Sequence, residues 1–585
     1  MPPTPRGRPP RDTAPPTDEQ LIAWFDSGEL LDRIGRHFDL ADSELFRAAA
    51  RQAGALTTAG RIDLLSLIES GAVAAVERHA FFTVVQFYVQ AIPTLDEPVF
   101  RMLAAVDTLV KLGGADGAAN WPNDALVEWL RSDPSRADAI ISGAGAGDAV
   151  VDAHLTFALQ VVGDPARARG FIASVEPMLK ASAFTALSRM PDADAASRAT
   201  SIETIGSALA EGADERLSAN GLAAILAIAS QEPFADGDLV LAALAAPLAA
   251  RGGGTLFGAA AALWTDKAAA RPEIAPVLLE ALLDLNPEHK GTTDTLDLGL
   301  KKLLDNGHNE SVLQFLADLL IKDHGQLKAR AFDLVWRDVV AGPSERLSRW
   351  IVTWLTSGES ALGFAVTEVL SQLERDQASL TIDRAVLPTD AAELGFLARK
   401  AVGWFMLQPR LATGVLVAIL GVCDTPTAQG VAGLLAHPIL RNYPEMRDVL
   451  AAVPASDPAK PWVDAALAEN DRYLSALRAM PIVPELTPSD HNRRIQHLHQ
   501  VDQMQAIQKS AREQSVFFNL VHHSTLLYGI RSLTYVEDLG GGPRRPMEME
   551  LGTHEFSMAL PRLDILDPIG LQLLLVRFRG EARPQ

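Results

Sequence analysis

The chain has 585 residues, of which 48% are hydrophobic and only 6% aromatic, with 73 acidic residues against 52 basic ones and a single cysteine. That is enough apolar material for a large core, but a core of Ala, Leu and Val, which suits closely packed helices better than a β-sandwich. The net charge of −21 disfavours non-specific binding to a phosphate backbone, and one cysteine excludes both an internal disulfide and a thiolate metal cage.

Residues 1–17 open on Met1-Pro2-Pro3-Thr4-Pro5-Arg6-Gly7-Arg8 and carry no hydrophobic segment. They are expected to form a disordered tail and do not read as a secretory signal. From residue 18 to 480 one amphipathic helix follows another. Leu347, Trp350, Ile351 and Trp354 share a face at i, i+3, i+4, i+7. Leu296, Leu300 and Leu303 form an earlier stripe, as do Val312, Phe315, Leu316 and Leu319, and then Phe332, Val335, Trp336 and Val339. Breakers such as Asp133-Pro134, Gly163-Asp164-Pro165, Gly252-Gly253-Gly254 and Gly342-Pro343 separate the stripes. The resulting helix pairs repeat every ~35–40 residues, the spacing of helical-repeat arrays.

Residues 18–480 resemble the HEAT-like or armadillo-like α-solenoids in period and texture, for example at 392–420, where a helix pair turns at Gln408-Pro409-Arg410. The resemblance implies a curved protein-binding surface far more often than catalysis. Independently of it, a single helix pair cannot bury its apolar face alone, so neighbours must stack.

Familiar chemistry is missing from this region. Gly143-Ala144-Gly145-Ala146-Gly147-Asp148 has closely spaced glycines, but Asp148 stands where a dinucleotide loop needs its third glycine, and no βαβ context surrounds it. Cys423 follows an apolar run and is expected to be a small buried hydrophobe. The longest apolar stretches, 239–250 and 411–422, fall short of a membrane span. No cofactor, metal site or small-molecule ligand is expected, and a cytoplasmic location fits the cysteine usage.

Pro481 to Pro488 reads as a linker, after which the character changes. Residues 489–585 hold 11 Lys/Arg and 11 Asp/Glu, together with six of the 13 histidines: His491, His497, His499, His522, His523 and His554. A polar helix is expected over 489–514, with Ile495, Leu498, Val501, Met504, Ile507 and Ala511 as a narrow apolar stripe. A strand at 531–536 should return through a glycine loop to a second strand at 547–551, whose alternation continues at Phe556, Met558 and Leu560. The apolar segment 569–578 should close the module. The expected fold is therefore mainly α: a solenoid of stacked antiparallel helix pairs carrying a small C-terminal α+β module with an antiparallel β-hairpin.

Arg493, Arg494, Arg531, Arg544 and Arg545, with His497 and His499, are the candidate interaction residues. Their expected role is docking onto the acidic array or onto a protein partner, with nucleic acid as the alternative. The functional expectation is a non-enzymatic scaffold or adaptor whose last module caps the array or recruits a partner. The alternative is a nucleic-acid-processing or enzymatic component with its site in the solenoid groove or at the seam.

Overall fold

In the computed structural model the described residues are 15–37, 43–114, 120–190, 194–322, 327–375, 380–481, 483, 485, 488–513, 521–526, 531–536, 545–550 and 562–584. They fall into two compact units: Met1–Trp350 with Phe364–Val369, and Ile351–Gly363 with Leu370–Gln585.

In the first unit, alternate helices stack into rows. One row runs through Glu44–Thr58, Arg78–Ala91, Trp121–Ser132, Ala149–Val162, Pro177–Ser188, Glu215–Ala229, Gly253–Thr265, Lys290–Asp305 and Asp333–Ala341, each helix packing on the next in the row. A second row includes Pro165–Gly170, Ala195–Ala210, Gly237–Ala249, Ala275–Leu282 and Asn309–Lys322. The expected stripes face the core: Leu296, Leu300, Val312, Leu316, Phe332, Val335 and Val339 are wholly buried.

Hydrogen bonds between successive turns measure the repeat directly. Trp129 Nε1 donates to the Leu95 carbonyl (2.7 Å, 34 residues apart) and Thr58 Oγ1 to the Thr94 carbonyl (3.1 Å, 36 apart). The Ala268 amide donates to Ser230 Oγ (2.9 Å, 38 apart). Two carboxylates cap a helix from its neighbour in the row. The Glu215 carboxylate accepts the Gly254 amide (2.7 Å), where Gly252 at the N-cap has no side chain to offer. The Asp297 carboxylate accepts the amides of Leu334 (2.9 Å) and Val335 (3.1 Å), where Phe332 cannot cap. Asp297 is buried, and desolvation raises its pKa despite both bonds.

Close helix approach relies on small residues. A Cβ added at Gly299 would lie 2.8 Å from the Leu263 Cβ and 3.2 Å from the Ala260 carbonyl, so the Gly253 and Lys290 helices meet nearly backbone to backbone. Gly206 serves the second row in the same way against Ala243. Much of the chain's acidity is structural. Asp63, Asp133, Asp148, Asp164, Asp194, Asp214, Asp236, Asp390 and Asp424 each cap a helix N-terminus through the side chain.

The second unit centres on Ala391–Phe405, which packs on Pro409–Leu420, on Thr425–Leu434 and on Pro568–Gly580. The turn expected at Gln408-Pro409 is present, with Pro409 opening the second helix of that pair.

The expected fold class needs correction. Helices make up 77% of the structure, and among the described residues the helices pack only on other helices. The α+β module expected at 489–585 is not built. The Asp490–Glu513 helix is exposed from its first residue to Ala511, and Pro568–Gly580, expected to close the module, packs on Ala391–Phe405 instead. Extended backbone at Val521–Leu526, Arg531–Val536 and Arg545–Glu550 does pair antiparallel in that order. However, among the described residues no helix packs on that pairing. The physical reason is that strands this short need an apolar layer over one face, and neither flanking helix supplies it. Residues 556–560, expected to continue the alternation, lie outside the described residues.

Candidate interaction surface

Among the described residues, the candidate interaction residues lie on the Asp490–Glu513 helix and on two of the paired strands. Arg493, Arg494, His497 and His499 lie exposed on the Asp490–Glu513 helix, and the Arg493 guanidinium pairs with Asp490 at 2.5 Å. Arg531 stands opposite Glu550 and Arg545 opposite Val536, which places the two arginines at opposite ends of the paired strands. Arg544 lies outside the described residues. The apolar stripe of that helix also changes on inspection. From Ile495 to Ile507 it advances only in steps of three, and each such step turns 60° short of a full circle. The row therefore winds around the helix and offers no single face.

The other features that drew attention in the sequence have structural roles. Asp148 caps Ala149–Val162 through the amides of Val150 (3.0 Å) and Val151 (3.4 Å), so the glycine-rich segment is an interhelical turn. Cys423 is half-buried, and burial pushes its thiol pKa up, away from a reactive thiolate. No group of three or more His, Cys, Asp or Glu suited to a metal ion occurs among the described residues. No helix among them is long and apolar enough to cross a membrane.

The strongest surface feature lies in the middle of the first unit. The Gly253–Thr265 helix, GGTLFGAAAALWT, carries no charge at all. Its flanks are buried by the Glu215 and Lys290 helices, and its inner side by Ala275–Leu282 and Ala268–Ala270. This leaves one outward line: Gly254, Phe257, Ala261 and Trp264, spaced 3-4-3. Phe257 is 47% exposed and Trp264 50%. On the adjoining Glu215–Ala229 helix the outward positions are Glu215, Arg216 and Asn220 toward its start, and Ala219, Ala223 and Ala227 beside the two aromatics. Large aromatic side chains thus stand on a floor of small ones.

Two neighbouring features bear on this surface. Asp266 follows Trp264 as the helix C-cap, where a carboxylate opposes the helix dipole, and desolvation raises its pKa to about 6. At the other end of the helix lies a small recess of about 70 Å³ lined by Arg251, Leu256, Asp284 and His289 among others. Its charges engage one another: Arg251 donates to the Glu280 carbonyl (3.1 Å), and both Arg251 and Lys322 pair with Asp284.

Sequence periodicity missed this line because a charge-free helix is expected to be buried all round. The available signal was the combination of no charge over 252–265 with two large aromatics seven residues apart. Searches against protein-family models, curated proteins and solved structures find no match to this chain.

Proposed function

We propose that the chain is a non-enzymatic scaffold of HEAT-like or armadillo-like character, which binds a protein partner along the outward line of Gly254, Phe257, Ala261 and Trp264. One observation carries this reading: two half-exposed aromatics seven residues apart on a helix that carries no charge. Aromatic side chains over a flat apolar floor are the typical anchors of protein interfaces. The 3-4-3 spacing matches the apolar face of an amphipathic helix, so the partner element is such a helix laid along the line.

The test compares wild-type protein with the double variant Phe257→Ser, Trp264→Ser in quantitative affinity purification from the native cell. Both positions are half-exposed, so the variant should keep its melting temperature within a few degrees. The expected result is loss of at least one partner by about tenfold or more. Recovery of the same partners in the same amounts by the folded variant would refute the assignment.

A further inference from the structure

The C-terminal helix Pro568–Gly580 has two apolar faces, and among the described residues only one of them is covered. Leu571 and Phe578 are buried against the second unit, the latter beside Gly403 of the Ala391–Phe405 helix. Leu566, Ile569, Leu573 and Val576 point the other way and are 52%, 72%, 66% and 59% exposed. Ile569, Leu573 and Val576 follow one another in steps of four and three, as in a coiled-coil seam, and Leu566 flanks them from the preceding Leu563–Leu566 helix, so the element that covers them is an α-helix.

The helix is held rigidly in place. Lys400, itself buried, donates from Nζ to the Arg579 carbonyl (2.6 Å), and Arg579 Nε donates to the Gly403 carbonyl (2.6 Å). The Arg399 guanidinium grips Glu581 with two bonds of 2.7 Å, and Arg583 pairs with Glu393 at 2.6 Å. A seam presented this way loses little conformational freedom on binding.

Charge along the seam selects the occupant. Its N-terminal end carries the exposed Asp567, whose side chain caps the helix, and its C-terminal end carries the exposed Arg577. A helix of the same sequence lying antiparallel brings Arg577 beside Asp567 of the other copy at both ends and opposes the two helix dipoles. A parallel copy would set like charges together. We propose that Leu566, Ile569, Leu573 and Val576 form an isologous, antiparallel contact between two copies of this chain. Leu573 then lies against Ile569 of the second copy, and Leu566 against its Val576. Four apolar side chains a side make a contact well below the ~1,200 Å² of a standard interface, so the dimer is weak and reversible.

Sedimentation equilibrium of the full chain tests this. The expected result is a concentration-dependent dimer whose dissociation constant rises about tenfold or more in Leu573→Glu, at an unchanged melting temperature. Arg577→Glu should weaken it further at low salt than at high salt. A spin label at Gly580→Cys, in a Cys423→Ser background, should report label pairs roughly 30 Å apart in the antiparallel dimer, against roughly 10 Å in a parallel one. A chain that stays monomeric to about 1 mM, the upper end of weak affinities, overturns the proposal. So does a dimer indifferent to Leu573→Glu, or a short label distance.

Discussion

The Gly253–Thr265 and Asp490–Glu513 helices occupy opposite ends of what a helix can be in this chain. The first is 13 residues long, uncharged and clamped between two neighbours; the second is 24 residues long, studded with charge, and packs on nothing among the described residues. Length and intrinsic propensity do not explain the difference. Packing does, since helices in proteins draw most of their stability from a buried face. The shorter helix has partners on three sides because Gly299 and the alanines of its neighbours let backbones approach closely. The longer one has an apolar row that winds around it, and no neighbour can cover a face that keeps turning.

Breaking the packed side of this contrast should have the largest effect. Gly299→Val forces a branched side chain into the Leu263 Cβ and the Ala260 carbonyl, and should cost about 3 kcal/mol or more in chemical denaturation. Removing the cap shared between repeats comes next. Asp297→Ala leaves the buried Val335 amide and its neighbour Leu334 without their acceptor, for a loss of about 2 kcal/mol.

Asp266 provides a test by pH. Its folded pKa of about 6 lies above the ordinary 3.8, so the folded chain holds a proton that the unfolded chain has already released between those values. Stability from this group is therefore lost as pH rises toward 6 and stays lost above it. Asp266→Asn should match wild type near pH 3.5 and gain on the order of 1–2 kcal/mol at pH 8, read from melts across that range. At the other extreme, Leu498→Glu in the exposed helix should change the melting free energy by less than about 0.5 kcal/mol. A large loss there would mean that the helix is covered after all.

How much of this could be read from the sequence depended on which signal each element carried. Stripes that mix steps of three and four, such as Leu296, Leu300 and Leu303, identified their buried faces correctly, and the breakers between them marked the repeat. The row from Ile495 to Ile507 never takes a step of four, a difference visible in the residues but easily passed over as amphipathicity. The acidic balance reads as repulsion toward a phosphate backbone, yet Asp133 and Asp164 cap helices inside the Asp-Pro breakers themselves. The Phe257 and Trp264 line escaped periodicity because everything around it is apolar too. The closing segment was assigned to a local module because nothing in its residues says that Arg399 is the partner of Glu581. Pairings at that range are fixed by tertiary fit and not by pattern.

That last pairing sets a timetable for the nascent chain. Within the first unit the row contacts bridge about one repeat, so each turn of the array can close soon after it is made. The Ala391–Phe405 helix must wait for a partner 182 residues further on, since Arg399 meets Glu581. At about 5–20 residues per second, synthesis leaves Phe396, Gly403 and the buried Lys400 uncovered for about 10–35 s. A chaperone that binds this protein during translation has its longest opportunity at that face.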